Sequence, residues 1–278
     1  MERFMNIGVI NGLHPAKEDH MFDRVAALGL TTCQVNIWNS DYYSEALAKK
    51  VLDQSAATGV KPCALWAGYS GPVRWNFTEG PVTLGVVPEE MRERRVNDLK
   101  KGADFAKMIG VPAIITHCGF IPENMTDPLY PGVLAAINDV ASYCKELGLE
   151  FWFETGQETP VVILRVIEEL GLGNFGINLD PANLLMYGKG NPIDALEVFG
   201  KYVRNIHVKD GMTPTDGKRL GREVQVGKGM VNFPRFVKRL HEIGFDGEFI
   251  IEREIAEGEE QKRDILETVE NLKMWWNA

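Results

Sequence analysis

The sequence predicts an α/β chain folded as a single (β/α)8 TIM barrel, and three observations carry that expectation. Short β-branched or apolar runs alternate with longer helical segments along the whole chain, eight times over. The helix-to-strand junctions are near copies of one another: ALGLTT, ATGVKP, MIGVPA, ELGLEF and EIGFDG each place Gly where a helix stops shortly before a strand. No linker or low-complexity stretch interrupts the 278 residues, which suits one barrel domain over 1–278. An open doubly wound sheet would more often start with a Gly-rich phosphate turn, and neither GxGxxG nor GxxxxGKS/T occurs.

Taken in order, the first strand is expected at 6–11 (NIGVIN), with a helix at 19–28. TCQVNIW at 32–38 alternates polar and apolar residues as a strand does, and 44–58 follows as a helix stopped by Gly59. KPCALWA at 61–67 leads through a long loop, 68–88, to a helix at 89–109, which opens on Pro88 and a Glu-rich first turn and stops at Gly110. PAIITHC at 112–118 and LEFWFE at 149–154 are the fourth and fifth strands, each followed by a helix, at 131–147 and 159–170, with Gly148 and Gly171 past their ends. FGINLD at 175–180, VRNIHVK at 203–209 and GEFIIER at 247–253 complete the set, with helices at 192–200, 233–243 and 258–274 and Gly244 after the seventh.

Composition narrows the function. With 39 Asp and Glu against 30 Lys and Arg, the formal charge is -9, so the chain offers no broad attraction for nucleic acid or an anionic membrane. No run of apolar residues reaches membrane-spanning length, and the N-terminal MERFMNIGVING lacks the apolar run of a signal peptide. Cys33, Cys63, Cys118 and Cys144 show no CxxC spacing, and reduced, buried thiols in a cytoplasmic protein are expected.

Alternate residues of a barrel strand face the axis, so a polar residue in the inward phase at a strand's C-terminal end points into the mouth, where barrel active sites lie. In GINLD the apolar Ile177 and Leu179 suit the helix side, leaving Gly176, Asn178 and Asp180 inward. NIHVK puts Asn205, His207 and Lys209 inward, FIIER puts Ile250 and Glu252 inward, and FWFE pairs Trp152 with Glu154. The last four strands thus each deliver one metal-competent group: Glu154, Asp180, His207 and Glu252. They are spaced by roughly one βα unit, the last interval lengthened by the loop at 210–230. Three carboxylates forced together repel unless a proton or cation intervenes, and one divalent metal ion answers that. An oxygen-rich set with one nitrogen suits Mn2+ best, with Mg2+, Co2+ and Zn2+ also compatible.

The segments THCGF, FETGQET, NLDPANLLMYG, IHVKDG, VGKGMVNFP and GFDGEFIIERE, in that order from about 112 to 255, resemble the xylose isomerase-like barrels of the sugar phosphate isomerase/epimerase family. That group also contains ketose 3-epimerases, inosose dehydratases, hydroxypyruvate isomerases and metal-dependent apurinic-site endonucleases. The resemblance implies that Glu154, Asp180, His207 and Glu252 hold the metal, the set the strand phase also reaches. It implies a small sugar or sugar derivative as substrate and a homo-oligomer. The endonuclease branch adds histidines for a three-metal cluster. Here one of those positions is Asn183, and the 210–230 loop has no His, which argues against phosphodiester cleavage. The epimerase branch also commonly carries His at the Asn183 position.

The expected reaction removes a proton beside a carbonyl and returns it elsewhere through an enediolate, with Glu154 and Glu252 as the catalytic pair and dehydration as the alternative. Among further candidates, His117 would bind a substrate hydroxyl. Glu158 and Gln157 would bind substrate or assist proton transfer, although a charge at a helix start explains Glu158 nearly as well. Lys209 would offset enediolate charge unless the adjacent Asp210 pairs with it, and Arg222 would reach a terminal hydroxyl or phosphate. Trp38, Trp66 and Trp75 offer flat faces for a sugar, while Trp275 and Trp276 suit packing or subunit contact. The 68–88 loop has the length of a cover or interface.

Overall fold

The computed structural model describes residues 5–14 and 19–278. Eight parallel strands close into a barrel: β1 (Asn6–Gly12), β2 (Thr32–Ile37), β3 (Lys61–Ala67), β4 (Ala113–Thr116), β5 (Glu150–Glu154), β6 (Phe175–Leu179), β7 (Val203–Val208) and β10 (Glu248–Ile251). Pairing of Gly8 with Ile250 and Val9 with Ile251 seals the ring. The helices are α1 (Asp23–Ala27), α2 (Glu45–Thr58), α3 (Gly80–Thr83), α4 (Glu89–Ile109), α5 (Tyr130–Glu146), α6 (Pro160–Leu170), α7 (Pro181–Met186), α8 (Pro192–Phe199), α9 (Phe233–Glu242) and α10 (Glu259–Trp276). Gly59, Gly110, Gly148, Gly171 and Gly244 all take positive φ at the junctions, the conformation that stops a helix without a Cβ clash.

Outward-facing strand residues and the inner faces of the helices form the main core, while Ala64, Trp66, Ala113, Ile115 and Trp152 pack inside the barrel as a second cluster. Gly176 makes room for that cluster, because a Cβ there would come within 2.4 Å of the Trp152 ring. All four cysteines are free, and burial pushes Cys33 and Cys144 up to about 12, so they are unreactive thiols. Among the described residues no helix is long and apolar enough to cross a membrane.

Several boundaries differ from expectation. The helix expected at 19–28 is only α1, because the preceding residues are tied elsewhere: Met21 N donates to Gln54 and Met21 O accepts from Asn11. The fourth strand stops at Thr116 and the eighth at Ile251, so His117 and Glu252 are the first residues beyond them. The 210–230 loop contains an antiparallel pair, β8 (Asp210–Met212) with β9 (Arg222–Val224), and a short extra helix, α7, follows β6.

The 68–88 loop is pinned down by two charged residues that a helix pattern would place in solvent. Arg95 of α4 is fully buried and donates to the carbonyls of Ser70, Pro72 and Gly85. Asp98, one turn on, accepts from the Ser40 hydroxyl and from both the amide and hydroxyl of Ser70. Burial would raise Asp98, but these hydrogen bonds outweigh it and hold the carboxyl below its ordinary value.

Candidate metal centre

Four side chains from the last four barrel strands meet at the mouth: Glu154 ends β5, Asp180 follows β6, His207 is next to last in β7 and Glu252 follows β10. One donor atom from each lies within 4.8 Å of the others. His207 Nδ1 is 2.8 Å from Glu154 Oε1, 3.1 Å from Glu252 Oε2 and 3.9 Å from Asp180 Oδ2. The contacts at Nδ1 lack hydrogen-bond geometry: His207 Nδ1, Asp180 Oδ2 and Glu252 Oε2 are buried without a well-formed partner. Their lone pairs are grouped about one point, and the donor set, mostly hard oxygen with one imidazole, fits a single divalent cation.

The remaining atoms of the ligands are held by protein. Glu154 Oε2 accepts from Trp66 Nε1 at 2.7 Å and Asn178 Nδ2 at 3.2 Å, which leaves Oε1 facing the centre. His207 Nε2 lies 3.1 Å from Gln34 Oε1, which also accepts from Asn205 Nδ2 at 3.0 Å. That acceptor places the ring proton on Nε2 and leaves the Nδ1 lone pair facing the centre, available to a cation. Asp180 Oδ1 caps α7 by accepting from Asn183 N at 2.8 Å, and its own amide donates to Thr155 Oγ1 at 2.8 Å.

With no cation present, burial would lower His207, but Glu154 and Glu252 outweigh it and hold the imidazole well above its ordinary value. Burial pushes Glu154 up. It would raise Glu252 as well, yet Lys209 and His207 hold that carboxyl well below the usual range.

Above the centre is a cleft of about 340 Å³, lined by Glu154, Glu252, His117, Lys209 and Gln157 among others, within the size range of small-molecule sites. His117 Nε2 is 3.8 Å from Glu154 Oε1, and burial with the Lys209 charge pushes this imidazole down to about 3, so it is neutral at pH 7. Lys209 Nζ lies 2.7 Å from Glu254, 3.4 Å from Glu252 and 3.6 Å from Asp180. Asp210 is not its partner. Its two oxygens accept backbone amides of Gly211, Gly227, Gly229 and Val231, clamping the 210–230 loop.

Glu158 is buried behind the cleft without lining it, and burial pushes it up to about 8. It does not cap α6, whose cap is Thr159. Arg222 is exposed on β9, where it pairs with Met212 of β8, and it does not line the cleft. Trp38 and Trp75 line the mouth, 39% and 42% exposed, whereas Trp66 is buried and employed on Glu154. Trp275 stacks on Phe233 and Trp276 packs against Phe249, so both belong to packing.

Gln34, Asn178, Asn205 and the Trp66 indole were not anticipated as ligand supports. Gln34 was findable, being, with Asn36, one of two inward positions of TCQVNIW flanked on both sides by buried apolar residues, and the one of the two that is itself buried. Neutral amides carry no charge signal, which is why the pattern of acids passes over them.

A family model described as xylose isomerase-like TIM barrel matches residues 22–275. The chain belongs to that family. A crystal structure of a xylose isomerase domain protein from Planctomyces limnophilus is 34% identical, with a TM-score of 0.91 over 98% of this chain and 97% of that one. A D-tagatose 3-epimerase-like protein superposes with a TM-score of 0.76 at 19% identity, covering 98% of this chain and 97% of its own. A xylose isomerase-like TIM barrel protein from Mycobacterium smegmatis, in complex with magnesium, gives 0.71 at 16% identity, covering 98% and 97%. The last two likenesses show the fold alone. A curated relative, the uncharacterized protein MJ1311 of Methanocaldococcus jannaschii, is 22% identical over 198 residues, which is 65% of this chain and 65% of that protein.

Proposed function

We propose that this family member is a metal-dependent isomerase or epimerase of a ketose or related polyol, with Glu154, Asp180, His207 and Glu252 as ligands of one divalent ion. The observation that carries the reading is the cluster of four donor atoms within 4.8 Å at the floor of an open cleft. Mn2+ or Mg2+ fits the donor set best, and magnesium accompanies one protein of the same fold. When bound, the ion supplies Lewis-acid stabilisation of negative charge developing on a substrate carbonyl oxygen.

The protein's own groups do the proton work. Glu154 and Glu252 approach the same point from strands separated by β6 and β7, so a substrate carbon between them is reachable from two sides. One carboxylate, ionised, removes the proton beside the carbonyl, and the other, already protonated, delivers its own proton to the neighbouring carbon or opposite face, the pair being reset by proton exchange with solvent. Neutral His117 exchanges hydrogen bonds with a substrate hydroxyl, and Lys209 holds Glu252 ionised for its role as base. Lys209 also offsets charge on the enediolate.

The test is NMR of metal-loaded protein with candidate ketoses in deuterated buffer. Incorporation of deuterium with rearrangement supports the proposal. A deoxy-keto product would assign the site to dehydration, and cleavage of an abasic-site duplex would assign it to nucleic-acid repair. Metal analysis giving no stoichiometric ion would remove the basis of the reading.

A further inference from the structure

Glu252 stands one residue past the end of β10, and its amide makes the last backbone bond of that segment to the barrel, donating to Val208 O at 3.2 Å. Residues 252–255 belong to no helix or strand. A carboxylate carried by such a segment points where the backbone points it, so its aim depends on whatever fixes the exit from the strand.

That fixing comes from the opposite side of the chain. The Arg253 guanidinium is clamped between two carboxylates: Nη1 donates to Glu223 Oε1 at 2.8 Å and Nε to Asp264 Oδ2 at 2.9 Å. Glu223 also accepts from the amide of Glu254, at 3.2 Å on one oxygen and 3.1 Å on the other. Three residues before Asp264 on α10, Gln261 Nε2 donates to the carbonyls of Arg253 at 2.7 Å and Ile255 at 2.9 Å. Gln261 Oε1 in turn accepts from Arg24 Nη2 of α1 at 2.8 Å.

Burial separates this clamp from a surface ion pair. Arg239 is likewise flanked by two carboxylates, Glu197 and Glu242, but these are 60% and 47% exposed and Arg239 itself 31%. In the clamp the side chains of Arg253, Glu223 and Asp264 are 13%, 12% and 7% exposed. An exposed pair opens at little cost, whereas a buried guanidinium that loses one partner leaves charge unpaired in the interior. Glu223 moreover lies opposite Gly211 in the β8–β9 pair, and Gly211 is two residues beyond Lys209. One carboxylate therefore joins the chain leaving β7, which carries Lys209, to the chain leaving β10, which carries Glu252. Those two side chains meet at 3.4 Å beside the centre. Neither Arg253 nor Glu223 lines the cleft.

We propose that Arg253 and Glu223 are positioning residues: their clamp with Asp264 sets the course of residues 252–255, aims Glu252 at the centre and holds Lys209 in register with it. The inference rests on the reading of Glu252 as metal ligand and acid or base, and adds residues that act on it from outside the cleft.

Crystal structures of the metal-free Arg253→Met and Glu223→Ala proteins, as full chains, read the aim of Glu252. The 3.1 Å spacing of Glu252 Oε2 from His207 Nδ1 is expected to open by about 1 Å or more, while Glu154 stays at 2.8 Å. Titration with Co2+ is expected to show affinity weakened by about tenfold and an altered visible absorption. On any ketose that the parent converts, kcat should fall more than KM rises. Arg253→Lys and Glu223→Gln, which keep part of the clamp, should restore part of each loss and carry the test where the larger truncations do not fold. Arg239→Met should leave spacing, spectrum and kcat unchanged. Variants that lose thermal stability yet keep the 3.1 Å spacing, the Co2+ spectrum and the parent's affinity would overturn the inference. A parent that binds no ion, or converts no ketose, counts instead against the isomerase reading, because the crystallographic spacing decides the clamp without metal or substrate.

Discussion

The two halves of the barrel mouth are built from different chemistry. β5, β6, β7 and β10 end in Glu154, Asp180, His207 and Glu252, with Lys209 and Glu254 just beyond, so that side is charged and tightly coupled. β1 to β4 contribute Asn36, Trp38, Trp66 and His117, amides and rings without a carboxylate. One half holds the ionisable groups and the other holds rings and neutral polar groups. On the proposed reading, the division makes reactivity and selectivity separable by mutation, with Gln34 and Trp66 as the members of the quiet half that reach across to His207 and Glu154.

The largest effect should come from within the charged half. Glu154→Gln and Glu252→Gln should each lower kcat by about a thousandfold or more while thermal unfolding stays cooperative; an active, metal-loaded Glu154→Gln protein would break the division. Next comes a substitution in the quiet half that behaves as though it belonged to the other. Gln34→Leu removes the acceptor for His207 Nε2 and should weaken metal affinity by roughly 10–100-fold, measured by competition with a chelator, with Trp75→Ala as the contrasting variant that leaves affinity unchanged.

Arg95→Met should act on shape alone. It leaves the carbonyls of Ser70, Pro72 and Gly85 without their donor, costing about 2–4 kcal/mol in denaturant unfolding. Through Trp75 on the loosened loop it should raise KM more than it lowers kcat. The smallest effect concerns Glu158, which burial pushes up to about 8 from an ordinary 4.5. Because the folded state holds this proton more tightly, the stabilisation is present below pH 4.5 and is lost as pH rises through about 8. Glu158→Gln should therefore match the parent in thermal stability in acid and exceed it near pH 9; identical pH profiles would show that Glu158 is ionised when folded.

The eight-unit rhythm and the four-residue cluster at the barrel mouth were legible because each has a one-dimensional signature. Junction glycines recur with positive φ, and the inward phase of GINLD, NIHVK and FIIER marks single acids and one His at strand ends. The supports were not legible for the opposite reason. Arg95 and Asp98 sit in a run of charges on α4 that looks solvated, and only the descent of the 68–88 loop onto that helix buries them. Loop residues carry no phase, so nothing in the sequence assigns Arg222 an inward or outward sense, and the structure has it exposed on β9 away from the cleft lining. Asp210 seemed a partner for its neighbour in sequence, yet backbone amides up to 21 residues away claim it instead.

Asp180 has one oxygen on the first turn of α7 and the other on the centre. The residue proposed to hold the ion thus also pegs the short helix leading to Tyr187 on the cleft wall. On the proposed reading, loading and unloading of the ion should be felt as tightening and slackening of that wall, so that affinity for sugar and affinity for metal would be two readings of a single mechanical joint.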